Sequence, residues 1–230
     1  MRPTLRLACM VAACVLVLPA IASAGPEQDP QTTQNAPPRK PISISLRAYG
    51  IVDFNNLAAK ESFEAVLGTS QLKGFGAGVE VDIWKHLFVR VAGTRARETG
   101  SRVFVSGSEV FPLGIPLTVT MTPIEAGGGW RFETKSGRLT PYAGVSYLSM
   151  GYAEESDFAE AGDNTSERFT GQAVFGGAEF RIWKWFIAAG EAQYRRVPNA
   201  LGAGGVSKDF GEDDLGGFTA RITIGIRTKR

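Results

Sequence analysis

A hairpin pattern occurs twice in the chain, in residues 75–97 and again in residues 174–196. The segments read FGAGVEVDIWKHLFVRVAGTRAR and VFGGAEFRIWKWFIAAGEAQYRR, and Glu80 matches Glu179 at a separation of 179 − 80 = 99 positions. Each copy holds a glycine-rich strand of alternating apolar and polar residues, a Trp-Lys turn and a second strand. Nearly one hundred residues is too long a period for a solenoid repeat. Two similar hairpins on opposite sides of one closed sheet fit better, so the pattern favours a barrel.

The same alternation defines the predicted first and last strands, over about 42–54 and 218–227. In the first strand, for example, Leu46 and Phe54 alternate with the charged residues Arg47 and Asp53. One face of such a strand is apolar and the other carries charges. Further strands are predicted at about 75–83, 87–97, 117–132, 139–153, 169–182 and 186–197, which makes eight in all.

The connections between the predicted strands alternate in length. Long links run over about 55–73, 98–116, 154–168 and 197–216, whereas short ones lie at 84–86, 133–138 and 183–185. An up-and-down barrel of the outer membrane has long outer loops, short periplasmic turns and an even number of strands. Aromatic residues gather at the membrane interface of such barrels. The tryptophans, which we predict to be interfacial, all fall near the short turns: Trp84, Trp130, Trp183 and Trp185.

Two local features modify the third and fourth strands. Pro123 predicts a bulge in the fourth strand, because a proline within a strand usually marks a bulge or an edge. Residues 102–105 and 110–113 are expected to extend both strands as a hairpin that reaches beyond the membrane.

The first 24 residues have the organisation of a secretory signal peptide. Arg2 and Arg6 precede an apolar stretch from Leu7 to Ile21, and Ala22-Ser23-Ala24 forms a cleavage site. The stretch is about fifteen residues long, shorter than the roughly twenty that a membrane-spanning helix needs. Residues 25–41 are rich in proline and hold no large apolar residue, which predicts a flexible periplasmic tether.

Cysteine content and charge exclude several classes of function. Both cysteines, Cys9 and Cys14, lie in the predicted signal, so the mature chain is expected to lack disulfides, Cys-based metal sites and a thiol nucleophile. Val11-Ala12-Ala13-Cys14 also resembles a lipobox, which leaves a lipoprotein signal as an alternative. Without Arg2 and Arg6, 25 − 2 = 23 basic residues balance 23 acidic ones. This balance predicts no nucleic-acid binding and no basic membrane-surface patch.

The chain resembles bacterial outer-membrane β-barrel domain proteins, the small eight-stranded group that includes the OmpA-like and OmpX-like barrels. The resemblance rests on RAYGIVDF, TVTMTPIEAGGGWRF, LTPYAGVSYLSMGY and the two hairpins, and covers about 42–228. It implies an all-β, eight-stranded antiparallel up-and-down transmembrane β-barrel, monomeric and located in the outer membrane of a Gram-negative cell. Its implied partners are outer-membrane lipid and the barrel-insertion machinery. Members usually end in an aromatic residue, whereas this chain ends Arg227-Thr228-Lys229-Arg230.

The inward face of the barrel is predicted to carry charges of both signs. An eight-stranded barrel is only just wide enough for its own side chains, and an unpaired buried charge is costly. The charges are therefore expected to pair and to close the bore, with a narrow ion path or a small polar-ligand pocket as the alternative. The predicted interior charges are Arg47, Asp53, Glu80, Asp82, Arg90, Glu125, Arg131, Glu179, Arg181, Glu191, Arg195 and Arg221.

No catalytic, cofactor-binding or metal site is predicted. His86 is the sole histidine and lies in the first Trp-Lys turn. The sequence therefore offers no evident pair of a nucleophile and a general base. Gly74–Gly78 loosely resembles a dinucleotide motif, but a strand rather than a helix follows it. The acidic residues of loop 154–168 do not have the spacing of a calcium loop.

The long loops are the predicted place of function, because connections carry binding residues more often than walls do. Residues 55–73 are expected to form a short helix or lid, and residues 197–216 to be mobile. The sequence thus predicts a non-enzymatic outer-membrane barrel with a structural or surface-interaction role and an unidentified extracellular ligand. A small pore, a soluble periplasmic lipocalin-like carrier and a lipid-modifying enzyme are the alternatives.

Overall fold

The computed structural model describes residues 44–83, 86–107, 109–132, 134–135, 137–156, 164–203 and 205–228. Within them lie eight strands: β1 (Ser45–Leu57), β2 (Gln71–Asp82), β3 (Leu87–Ser106), β4 (Glu109–Arg131), β5 (Leu139–Glu155), β6 (Thr165–Arg181), β7 (Phe186–Arg196) and β8 (Gly217–Arg227). Helix α1 (Lys60–Leu67) follows β1, and helix α2 (Gly205–Asp209) follows β7. The predicted signal peptide (1–24), the predicted tether (25–41) and Trp84 lie outside the described residues. No described helix has the length and apolarity needed to cross a bilayer.

Each strand pairs antiparallel with the next, and β1 also pairs with β8, so the sheet closes into a barrel. Gly50 of β1 shows the closure, because it lies opposite Ala77 of β2 on one side and Ile224 of β8 on the other. Within the closed part of the wall, each strand therefore has a partner on both sides. The predicted eight-stranded antiparallel up-and-down barrel is therefore confirmed.

Alternate residues of a strand point to opposite sides of the wall. Asp53 is fully buried inside the barrel, whereas Phe54 next to it is 43% exposed on the outer surface. In β8, Arg221 is 2% exposed and the neighbouring Ile222 is 50% exposed. The outer surface thus presents apolar side chains and the interior buries polar ones. A lipocalin-like carrier needs the reverse arrangement.

The two ends of the barrel differ. The connections after β1, β3, β5 and β7 lie at one end, which we name the long-loop end, and the other connections lie at the short-turn end. Strands β3 to β6 have 17 to 23 residues, whereas β1, β2, β7 and β8 have 11 to 13. One side of the wall therefore rises higher at the long-loop end.

The tallest part of the wall is the hairpin of β3 and β4, which stays paired up to Ser106 and Glu109. The predicted extension over 102–105 and 110–113 is confirmed, and residues 98–116, which were expected to form a long link, are mostly strand.

The predicted bulge at Pro123 is wrong. The ladder of β3 and β4 skips the position of Pro123, which has no N–H to donate, but the register is the same on both sides of it. The register shifts instead between Ser101 and Val103, near the level where the hairpin leaves the closed barrel.

The connections of the long-loop end fold over the barrel mouth. Phe63 of α1 is buried in an apolar cluster that also contains Leu57, Leu72, Val119, Met121, Leu148, Met150, Tyr152, Val197 and Leu215. The carboxylate of Glu212 accepts hydrogen bonds from the backbone N–H groups of Glu61 (3.0 Å) and Ser62 (2.8 Å), which ties the connection after β7 to the start of α1. The predicted helix in 55–73 is confirmed. Val197 and Leu215, at the two ends of the connection after β7, are fully buried.

Glycine is required where the wall meets interior aromatic rings. A Cβ atom at Gly144 of β5 would lie 2.3 Å from the carbonyl oxygen of Gly128 and 2.4 Å from Cζ of Phe175. A Cβ atom at Gly190 of β7 would have nothing within 4 Å.

We therefore expect Gly144→Ala to lower the free energy of unfolding by about 1–3 kcal/mol, because the added methyl group would push the backbone at Gly128 or the ring of Phe175 out of place. Urea titration of the barrel in detergent micelles measures this change. Gly190→Ala is the matched control and should change the free energy by less than about 0.5 kcal/mol. Equal effects of the two substitutions would contradict the close packing at Gly144.

Candidate functional site

The half of the bore nearer the long-loop end is filled by a network that we name the upper ion cluster. It consists of three carboxylates and three guanidinium groups: Asp53, Glu125, Glu191, Arg90, Arg195 and Arg221. Arg221 lies at its centre, with Nε 2.7 Å from Asp53 Oδ1 and Nη2 2.9 Å from Glu125 Oε1. Because positive and negative groups are equal in number, the network is neutral.

Uncharged side chains complete the hydrogen bonds of the upper ion cluster. Gln193 donates to Glu125 (3.0 Å) and accepts from Nε of Arg195 (2.7 Å). Asn55 accepts from Arg195 (2.8 Å) and from the Thr219 hydroxyl (3.0 Å). Hydrogen bonds of this kind make buried charges tolerable. Asn55 and Gln193 stand at inward positions of the alternation, but their lack of charge kept them out of the predicted interior set.

The lower ion cluster lies towards the short-turn end and contains Glu80, Asp82, Glu179, Arg47 and Arg131. Arg47 lies 2.6 Å from Asp82 and 3.1 Å from Glu179. Arg131 pairs with Glu80 and, at 3.1 Å, with Glu179. The two matching glutamates of the repeated hairpin, Glu80 and Glu179, therefore share both arginines.

An aromatic cluster of Phe88, Tyr142 and Phe175 contacts both ion clusters. The guanidinium of Arg90 stacks 3.5 Å from the centre of the Phe175 ring, and that of Arg131 lies 4.8 Å from the Phe88 ring. The cavities beside the ion clusters measure about 10 Å³ and 20 Å³, about the space of one water molecule each. The bore is thus filled by its own side chains.

Eleven of the twelve predicted interior charges are buried, each at most 6% exposed, and all eleven take part in the two ion clusters. Arg181 differs: it is half-buried at the mouth of the short-turn end and forms no ion pair with a described carboxylate. It stands at the last position of β6, where it pairs with Ile187 of β7 at the rim of the wall.

Three predicted interfacial tryptophans lie on the outer surface at the short-turn end. Trp130 is 44% exposed, Trp183 is 69% exposed and Trp185 is 53% exposed. The fourth, Trp84, is outside the described residues. His86 lies at the same end, with its ring centre 5.2 Å from that of Trp130.

Each end of the barrel opens into a cavity. The outer cavity, at the long-loop end, has a volume of roughly 580 Å³ between the tall wall of β3 to β6 and the cover formed by α1 and the connection after β7. Phe63, Val119 and Phe169 give it an apolar lining, and Arg102 and Glu167 a polar one. The basic cavity, at the short-turn end, has a volume of roughly 710 Å³ and is lined by Arg47, Arg131, Arg138, Arg181, Lys184 and Arg227.

The basic cavity corrects one inference from composition. Balanced charge predicted no basic patch, but the fold collects these six cations from four strands and two turns at one end. Composition gives the sum of the charges and not their positions.

The upper ion cluster gives a test of the closed interior. Arg221→Met should lower the free energy of unfolding by about 3–5 kcal/mol, because it leaves buried carboxylates without their central partner. Lys60→Met is the matched control, since Lys60 and Glu64 form a pair 3.8 Å apart whose side chains are 65% and 46% exposed. It should cost less than about 1 kcal/mol. Urea titration in micelles compares them, and similar losses for both variants would count against a cooperative network.

Comparison with known proteins agrees with the fold. No protein-family model and no curated protein matches the chain. The solved structure of outer membrane protein OprG from Pseudomonas aeruginosa matches with a TM-score of 0.51 and 12% identity, over 82% of this chain and 97% of that one. Neisserial surface protein A matches with a TM-score of 0.48 and 13% identity, over 83% and 100% of the two chains. Ail, the attachment invasion locus protein of Yersinia pestis, matches at 0.47 and 15%, over 80% and 98%.

These neighbours are eight-stranded outer-membrane barrels. At an identity of 12% the likeness to OprG concerns the fold alone. The match with OprG, whose score is the highest of the three, supports the barrel architecture.

Proposed function

We propose that the protein is a non-enzymatic, integral outer-membrane barrel whose long-loop end faces the cell exterior and makes surface contacts. The observation that carries this proposal is the combination of an apolar outer surface with a filled, ion-paired interior. A soluble protein would expose Phe75 (63%), Val145 (63%) and Ile224 (55%) to water at a large cost. A lipid bilayer removes that cost, and the closed wall satisfies the backbone hydrogen bonds.

The borders of the apolar surface support this placement. On β3 the outward residues Leu87, Val89 and Val91 are apolar, and the next charged outward residues are Arg95 and Arg97. The distance from Leu87 to Arg95 corresponds to about nine residues, the length of a membrane-spanning strand. The exposed tryptophans mark the opposite border at the short-turn end, as interfacial aromatics do.

The interior argues against the small-pore alternative. A conducting path needs space for hydrated ions, whereas the two ion clusters and the aromatic cluster fill the bore. The supported role is therefore an anchor that presents its long-loop end.

The tip of the β3–β4 hairpin is the part of the long-loop end that best suits surface contact. It extends nine residues past Arg97 (106 − 97), roughly 30 Å along the strand. Phe104 and Phe111 lie opposite each other there and are 59% and 45% exposed, and Leu113 is 53% exposed. An apolar patch so far from the bilayer border indicates a contact site for an apolar partner surface.

Membrane topology can be tested with an epitope inserted after Gly107, in the turn of the β3–β4 hairpin. We expect antibody to label intact cells, and the protein to fractionate with the outer membrane and to migrate differently on gels before and after boiling. An epitope inserted after Lys135, in the connection between β4 and β5, is the control and should be labelled only after permeabilisation. Reversed labelling, or a soluble mature protein, would overturn the proposed function.

The contact role of the hairpin tip can be tested with Phe104→Ser/Phe111→Ser. Each phenylalanine contributes about 1.5–3 kcal/mol when it is fully buried, so the double variant should lose most of the contact energy. Adhesion of expressing cells to hexadecane droplets measures this loss. Thr99→Ser/Thr118→Ser, at a hydrogen-bonded pair lower on the same hairpin, should keep full adhesion. Equal adhesion of cells that express the two double variants would contradict the contact role of the hairpin tip.

A further inference from the structure

The basic cavity lies at the short-turn end, and two of its lining residues, Arg47 and Arg131, also belong to the lower ion cluster. Six cationic side chains line it, and none of its described lining residues is acidic. Its neutral lining residues include Thr140, whose hydroxyl group is a hydrogen-bond donor. The hydroxyl groups of Ser45 and Thr228 already donate to backbone carbonyls. A concave and cationic lining has the chemistry of an anion site.

The lower ion cluster takes up three of the six cations of the basic cavity. It has two guanidinium groups, those of Arg47 and Arg131, and three carboxylates, and Arg227, 3.9 Å from Glu179, supplies a third positive charge. That cluster is then neutral. Among the described residues, Arg181 and Lys184 form no ion pair with a carboxylate, so these two cations are the ones that can meet an anion.

The rim of the basic cavity is held in place by backbone hydrogen bonds. The N–H of Arg181 donates to the carbonyl of Arg138 at 2.8 Å, and the N–H of Arg227 donates to the carbonyl of Trp185 at 2.9 Å. The guanidinium of Arg181 lies beside Gly137, 3.4 Å from where a Cβ atom of that glycine would stand. These bonds fix the backbone positions from which Arg181 and Arg227 reach the cavity, so the backbone loses little freedom when an anion binds.

We propose that the basic cavity binds a phosphate group, either free in solution or carried by a lipid headgroup. Guanidinium groups bind phosphate oxygens through paired hydrogen bonds, and lysine adds a point charge. The volume of roughly 710 Å³ leaves room for the rest of a phosphate ester. Trp183 and Ile182 line the same cavity and are 69% and 50% exposed, so an apolar edge adjoins the cations.

The test uses the folded full-length mature protein with two probes. Inorganic pyrophosphate is titrated calorimetrically into the protein in neutral detergent, and phosphatidylglycerol retention is measured by native mass spectrometry from nanodiscs against phosphatidylcholine. Arg181→Gln/Lys184→Gln should weaken binding at least about tenfold, the loss expected for charge-assisted hydrogen bonds. Arg168→Gln/Lys208→Gln is the matched control, because it removes one arginine and one lysine that are exposed at the long-loop end. It should bind as the unmodified protein does.

Binding of pyrophosphate alone would assign the site to soluble phosphate, and retention of phosphatidylglycerol alone would assign it to a headgroup. If neither pyrophosphate binding nor phosphatidylglycerol retention is observed, or if both double variants weaken binding equally, the proposed phosphate site is wrong. The heat-dependent gel shift verifies folding, and Lys184→Gln alone serves if the double variant does not fold. Because the pyrophosphate measurement needs no cell, its failure leaves the proposed surface function untouched.

Discussion

Neutralisation of charge inside a closed eight-stranded wall is the constraint on which the rest of this structure depends. The bore has room only for side chains, so each buried carboxylate needs a cation that reaches it across the barrel. Arg90 and Glu191 meet at 2.5 Å from positions 101 residues apart, and the lower ion cluster joins β1, β2, β4 and β6. Pairs of this kind fix the register of distant strands together, so the interior network and the closure of the wall stabilise each other.

Because the interior is filled by side chains, the surfaces that can bind a partner lie at the two ends of the barrel. At the long-loop end, four strands rise above the others, and the shorter side carries α1 and the connection after β7, which cover the mouth. The hairpin of β3 and β4 projects beyond this cover with exposed Phe104 and Phe111. At the short-turn end, Trp130, Trp183 and Trp185 are exposed and the basic cavity opens. The barrel thus presents an apolar surface at its long-loop end and a basic one at its short-turn end.

Particular residues show which features of the structure could be predicted from the sequence and which could not. Period-two alternation placed Asp53, Glu125 and Arg221 on one face, and the structure brings all three within hydrogen-bonding distance. The alternation could not show that Arg181 stands at the rim rather than inside the bore, because its strand position continues the same pattern. Pro123 was expected to cause a bulge, but a skipped pair in an unshifted register accommodates it. The apolar alternation also could not show that Val197 and Leu215, at the two ends of the connection after β7, are fully buried.

The sequence alone determined the alternation, the number of strands, the inward charges and the unequal connections, since each follows from the local two-residue period of an extended chain. Only the tertiary structure decided which charge meets which, because partners lie on strands that closure brings together. It also decided that a chain of balanced charge has a basic cavity at one end. The strand ends and turns that form this cavity are far apart in the chain, and no local pattern relates them.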